Sequence, residues 1–252
     1  MNFPTLDKRF SNTKKLGIIG GMGSRAGAVL FNKILDYCPA VTDQDFPEII
    51  LHNNSHVPDR TKAIIYGEPS PVHQLQNSFK LFEQNNVDII ALACVTSYFY
   101  VEEFMKQTSA QILNPLDLVS EHIRSNHPRA SRVGLLATSG TIRTGLFHKA
   151  LGNNVEIVTL NELEQEEIFM KSVYMPAGFK SAKVSVAARE LMMESVNKLV
   201  ERNVDLIVGG CTEVSIGVNQ QSLLLPYIDT TDILAKKSVE CCYSQSIQPS
   251  VA

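Results

Sequence analysis

No run in this 252-residue sequence approaches the roughly 18 consecutive apolar residues that a membrane-spanning helix needs, and the polar stretch Met1–Lys15 has no apolar leader core. A cytoplasmic protein with no membrane partner is the expectation. Lys and Arg form no block: 23 basic residues stand against 26 acidic ones, a net charge of −3, which leaves no electrostatic footprint for nucleic acid. Cysteines are few and irregular. The five (Cys38, Cys94, Cys211, Cys241, Cys242) form an odd set without short spacing, which argues for free thiols and not a disulfide framework. CxxC and HExxH are missing and the six His are dispersed, so no metal site is expected. The turn Gly20-Gly21-Met22-Gly23 lacks the G-x-G-x-x-G spacing, and no acidic residue closes the next strand, so a dinucleotide fits poorly. What remains is an ordinary globular balance, 44% hydrophobic and 19% charged, suited to a small-molecule ligand.

Short apolar runs alternate with segments of helical period, the pattern of parallel sheets. Strands are predicted at Leu16–Gly20, Glu48–Asn53, Asp88–Ala93, Arg132–Ala137, Val155–Leu160 and Asp205–Gly210. Helices are predicted at Ser24–Tyr37, Pro71–Asn86, Leu116–Ser125, Thr141–Leu151, Val184–Asn203 and Asp232–Cys242.

The two halves share a register. Asn86-Val87-Asp88-Ile89-Ile90-x-x-x-Cys94 recurs as Asn203-Val204-Asp205-Leu206-Ile207-x-x-x-Cys211, an offset of 211 − 94 = 117. The same offset carries Gly17-Ile18-Ile19 onto Gly134-Leu135-Leu136. One matched apolar strand means little, but two segments agreeing on one offset, with a cysteine closing each copy, point to duplicated α/β domains. The expected division is 14–115, joined by a C-terminal helix at 226–245, and 116–225.

Residues just past the carboxyl ends of parallel strands form the ligand crevice, and Cys94 and Cys211 both occupy that position. Domains facing each other across a pseudo-twofold axis would bring the two thiols to one cleft from opposite sides. That is the geometry of stereoinversion: one group removes a proton from one face of a carbon while the other delivers a proton to the opposite face. Cysteine suits the task because its reference pKa, about 8.5, lies near neutrality. The poor acidity of a proton beside a carboxylate demands donors around that carboxylate, and Thr96, Ser97 and Thr212 follow the cysteines. Cys38, Cys241 and Cys242 have no such counterparts and receive no role.

These residues resemble the pyridoxal-phosphate-independent aspartate/glutamate racemase family, its aspartate racemase branch in particular. The likeness rests on Gly17-Ile18-Ile19-Gly20-Gly21-Met22-Gly23, Pro58-Asp59-Arg60-Thr61, Cys94-Val95-Thr96, Gly140-Thr141 and Gly210-Cys211-Thr212-Glu213. It implies two Rossmann-like domains with the active site between them, catalytic Cys94 and Cys211, no cofactor, an amino-acid substrate and a homodimer. It further implies that Met22 lines the pocket, that Arg60 binds a distal carboxylate, and that Thr141 and Thr212 hold the α-carboxylate and amine. Tyr174-x-x-x-Gly178-x-Lys180 resembles the segment that supplies a second cation, Lys180. Two positions depart from the family: Val95 stands where Asn is usual and cannot hydrogen-bond through its side chain, and Arg25 adds charge near the mouth.

Several readings compete with racemisation of aspartate. Glutamate, another amino acid or a hydantoin would keep both thiols. A decarboxylase-like reaction needs one proton donor only. A two-cysteine isomerase of unsaturated diacids would use one thiol as nucleophile. A non-catalytic amino-acid binding protein would keep the cleft without proton transfer.

Overall fold

The computed structural model describes residues 13–243; residues 1–12 of the polar N-terminal stretch and residues 244–245 of the expected C-terminal helix lie outside the described residues. The first half runs β1 (Leu16–Gly20), α1 (Ser24–Tyr37), β2 (Ile49–Asn53), α2 (Arg60–Tyr66), α3 (Val72–Gln84), β3 (Ile89–Leu92), a 3-10 helix (Val95–Glu103) and β4 (Gln111–Ile112). The second runs α4 (Pro115–Asn126), β5 (Arg132–Leu136), α5 (Ser139–Thr144), α6 (Leu146–Leu151), β6 (Glu156–Val158), α7 (Glu162–Glu164), a π-helical turn (Gln165–Met170), α8 (Lys171–Tyr174), α9 (Val186–Val200), β7 (Leu206–Gly209), α10 (Thr212–Gly217) and β8 (Tyr227–Asp229). The last helix is α11 (Thr230–Tyr243). Each half builds an all-parallel, four-stranded sheet, in the orders β2-β1-β3-β4 and β6-β5-β7-β8. Two pseudo-symmetric α/β units with helix-flanked parallel sheets are therefore present, as the duplicated pattern predicted.

The shared register holds down to single hydrogen bonds. Asp88 accepts from the Lys15 amide at 2.7 Å, and its counterpart Asp205 accepts from the Arg132 amide at 2.8 Å, so each acid ties the start of one central strand to the next. Asn86 and Asn203, leading into β3 and β7, both take the left-handed backbone (φ 51° and 54°) that Asn tolerates better than most residues. Gly17 admits the Phe82 ring where a Cβ would lie 2.7 Å away, and Gly134 admits Val204 and Leu199. A helix thereby packs close on each central strand.

The structure departs from sequence expectation in readable ways. Predicted helix Thr141–Leu151 is two helices, because Gly145 turns left-handed (φ 65°) and ends α5. β4 and β8 are too short to show a period. Residues 227–229, counted from sequence with the C-terminal helix, extend the second sheet; from Thr230 the chain leaves as α11 and packs on α1 and β3 of the first half and on α4 of the second. Leu234, Ala235, Val239 and Cys242 are buried there against Leu16, Ile18, Leu30 and Ile34.

Candidate active site

Cys94 and Cys211 sit at equivalent places: each follows its strand in extended backbone (φ −157° and −144°) and caps the helical segment behind it. Both line one small cavity of about 10 Å³ between the two sheets. Met22, Arg60, Val95 and Thr96 reach it from the first half, Lys180 and Thr212 from the second. Thr141 stands one layer back. Its hydroxyl lies 2.9 Å from that of Thr96, which also lies 2.9 Å from Thr138, so three buried hydroxyls from two domains close on one another.

The cysteines have unlike partners. Cys211 is buried and donates its S–H to Glu213 Oε2 at 2.8 Å. Burial, together with the Glu213 carboxylate, pushes the Cys211 thiol well up. Burial alone would raise the Glu213 carboxyl, but Lys180 and the donated thiol hold it below the usual range. Lys180 Nζ stands 3.5 Å from Glu213 Oε1 and donates to the Met22 carbonyl at 3.2 Å. Thr138 also lines the cavity without having been singled out, and Glu213 is the more consequential residue that reading from sequence missed. Its signal was available: under the offset of 117, Thr96 maps to Glu213, so the two halves differ two places past each cysteine.

Arg60, 5% exposed, is a clamp as well as a charge. It donates to the carbonyls of Pro58 at 2.8 Å and Met22 at 2.6 Å, with a longer bond to Val57, fastening the start of α2 to the Gly-rich turn after β1. Its Nε is buried without a hydrogen-bond partner, and the residue lines the cavity. Burial works against the guanidinium's charge, but neighbouring Cys94 and Asp59 more than offset this and raise its proton affinity. Asp59 in turn caps α2 and accepts from the Tyr174 hydroxyl at 2.8 Å, a bond that joins the two halves over the cavity. Beyond Thr61 and Tyr174 lies an outer recess lined by Lys62, Tyr66, Ser139, Glu166 and Lys171, beside the π-helical turn. Arg25, expected near the mouth, reaches across to the Ala182 carbonyl in the segment that carries Lys180.

Residues 19–237 match the model of the Asp/Glu/Hydantoin racemase family. The chain belongs to that family. An aspartate racemase from Picrophilus torridus shares its structure with a TM-score of 0.80 at 29% identity, over 92% of this chain and 94% of the other. A broad specificity amino-acid racemase of Bacillus subtilis is 24% identical over 230 residues, 89% of this chain and 96% of its own. A glutamate racemase from Francisella tularensis, crystallised with D-glutamate, has the same fold at 13% identity, with a TM-score of 0.64 over 95% of this chain and 85% of the other. The racemase family and the two-domain fold of its members are thus established for this chain. Among the described residues no cluster of His, Cys, Asp and Glu could hold a metal, and no helix is long and apolar enough to cross a membrane.

Proposed function

We propose that the chain racemises aspartate by a two-base mechanism in which Cys94 and Cys211 exchange the roles of base and acid. The observation that carries this reading is that two thiols from equivalent strand ends line one enclosed cavity with opposite partners. Burial and the neighbouring Glu213 carboxylate keep Cys211 protonated, and so it serves as the acid. Cys94 faces the Arg60 guanidinium, which can pair with a thiolate. A thiolate and a thiol on opposite faces are what one inversion requires. The carbanion that forms is stabilised by spreading its charge into the α-carboxylate, which the hydroxyls of Thr96, Thr138 and Thr212 can hold in a site closed to water. Arg60 Nε and Lys180 remain for the side-chain carboxylate, a pairing that favours aspartate.

A second reading has an observation in its favour. Asp59 and Glu213 already balance the charges of Arg60 and Lys180, and Val95 offers no side-chain hydrogen bond, so the cavity is less strictly built for a diacid. Other amino acids then become substrates, as the name of the Bacillus subtilis relative states for that enzyme. Chiral chromatography of each amino acid incubated with dialysed protein separates these outcomes. Interconversion of L- and D-aspartate well ahead of alanine and glutamate supports the first reading, and comparable rates support the second. Binding with no α-hydrogen exchange in deuterated water refutes both.

A further inference from the structure

We propose that the side-chain carboxylate of the substrate turns Cys211 from acid into base, by drawing Lys180 away from Glu213 so that Glu213 takes the Cys211 proton. This rests on the two-thiol reading above, and it makes Glu213 a positioning residue that acts through Cys211. The geometry is a three-membered chain: Cys211 Sγ to Glu213 Oε2 at 2.8 Å, then Glu213 Oε1 to Lys180 Nζ at 3.5 Å.

The second link is loose. At 3.5 Å it is longer than a charge-assisted hydrogen bond, and Glu213 Oε1 is buried with no hydrogen bond at all. Lys180 gives one of its three N–H donors to the Met22 carbonyl at 3.2 Å, a better distance than it makes to Glu213. Asp59, the other buried-side carboxylate, is satisfied by the Lys62 amide and the Tyr174 hydroxyl, so Glu213 is the acid left short of donors. A carboxylate entering the cavity beside Arg60 offers Lys180 a partner that Glu213 does not match.

The consequence for the proton follows from burial. A carboxylate out of water and stripped of its cation is costly, and taking up a proton relieves the cost. The proton is already in place. The S–H bond of Cys211 breaks, an O–H bond forms at Glu213 Oε2, and the electron pair stays on Sγ as the new base, while Cys94, protonated in this direction of the reaction, delivers its proton to the opposite face and is left as the thiolate beside Arg60. When product leaves, Cys211 holds the substrate's α-proton, Lys180 returns to Glu213, and Glu213 releases its proton to solvent, from which Cys94 is reprotonated. An amino acid lacking the distal acid leaves Cys211 protonated, able to donate to the α-carbon but unable to deprotonate it. Selection of aspartate over alanine then acts on turnover more than on binding.

The test uses two ligands without an α-hydrogen that differ in the distal carboxylate, α-methylaspartate and α-aminoisobutyrate, added to the Cys94→Ala protein. Ultraviolet thiolate absorbance should rise saturably with the first and stay flat with the second, a roughly tenfold change in thiolate fraction for each unit of pKa moved. The rise should vanish when Glu213→Gln is added. Equal rises with both ligands, or a rise that survives Glu213→Gln, overturns the proposal. Kinetics provide an independent arm on a full pair of thiols. Glu213→Gln should lower kcat for aspartate at least tenfold with little change in KM, and should lower α-hydrogen exchange of alanine by a much smaller factor; equal fold-losses for both substrates refute the switch. Racemisation by Cys94→Ser or Cys211→Ser protein would instead sink the two-thiol reading itself.

Discussion

Replacing Arg60 tests the site and the fold together. Its guanidinium makes short bonds to the carbonyls of Met22 and Pro58 and a longer one to Val57, and its Nε is buried without a partner. Hydrogen bonds to a charged group contribute about 1.5–3 kcal/mol each, so loss of the two short ones should cost about 3–5 kcal/mol, allowing for water entering the space in Arg60→Ala. Arg60→Lys keeps the charge but cannot span both carbonyls, and should lose about half as much. Losing the grip on the distal carboxylate should further reduce kcat/KM for aspartate by about 10- to 150-fold, with alanine affected less. Urea unfolding followed by circular dichroism reads the first effect, and parallel kinetics on the two amino acids under native conditions read the second. Full stability in Arg60→Ala would falsify the clamp. Equal losses for aspartate and alanine would show that Arg60 supports the turn and does not read the side chain.

Cys94→Ser and Cys211→Ser should each abolish racemisation, since a hydroxyl is far too weak an acid to replace either thiol; chiral chromatography after prolonged incubation checks this. Dialysis against a carbonyl-trapping reagent should leave activity intact, and recovery only on adding pyridoxal phosphate would refute the thiol mechanism. Glu213 and Asp59 both ionise more readily in the folded chain than in the unfolded one, so they add stability above the ordinary carboxylate range that is lost as pH falls through their depressed values. Thermal melts from neutral pH down to about pH 3 should show this loss, reduced in Glu213→Gln; an unchanged acid limb in that variant would contradict the assignment. Gly21→Ala should prevent folding or lower Tm steeply, because Gly21 has φ 87° and an added Cβ would lie 2.2 Å from the Asn54 backbone. A soluble variant of wild-type stability would show that the turn can relax.

Much of the fold is legible in the sequence because the chain repeats itself. The six predicted strands fall in place since each is a short, largely apolar run in a parallel sheet, and the offset of 117 by itself singles out Cys94 and Cys211 from the five cysteines. Met22, Arg60, Val95, Thr96, Lys180 and Thr212 reach the same cavity as those cysteines, although 158 residues separate Met22 from Lys180. What the sequence does not disclose depends on local geometry. β4 and β8 owe their pairing to neighbours and not to their own pattern, Gly145 breaks a helix without interrupting its period, and the π-helical turn has the composition of any helix. Glu213 reads as one more acid after a motif, because a carboxylate's partner cannot be known until the fold supplies it. Thr141, placed against substrate by resemblance, stands behind Thr96.

The 117-residue offset also bears on how such an enzyme can be improved by mutation. Two copies of one half, meeting at a true dyad, would surround both thiols identically, and any change at one would be imposed on the other. Joined in a single chain, the copies are released from that constraint. Position 96 keeps a hydroxyl while position 213 holds a carboxylate, so each thiol can be tuned without disturbing its twin. A reaction that is symmetric in its two products is therefore served by machinery free to be unsymmetric: kcat can differ between the two directions provided KM differs in the same proportion, because the equilibrium stays even.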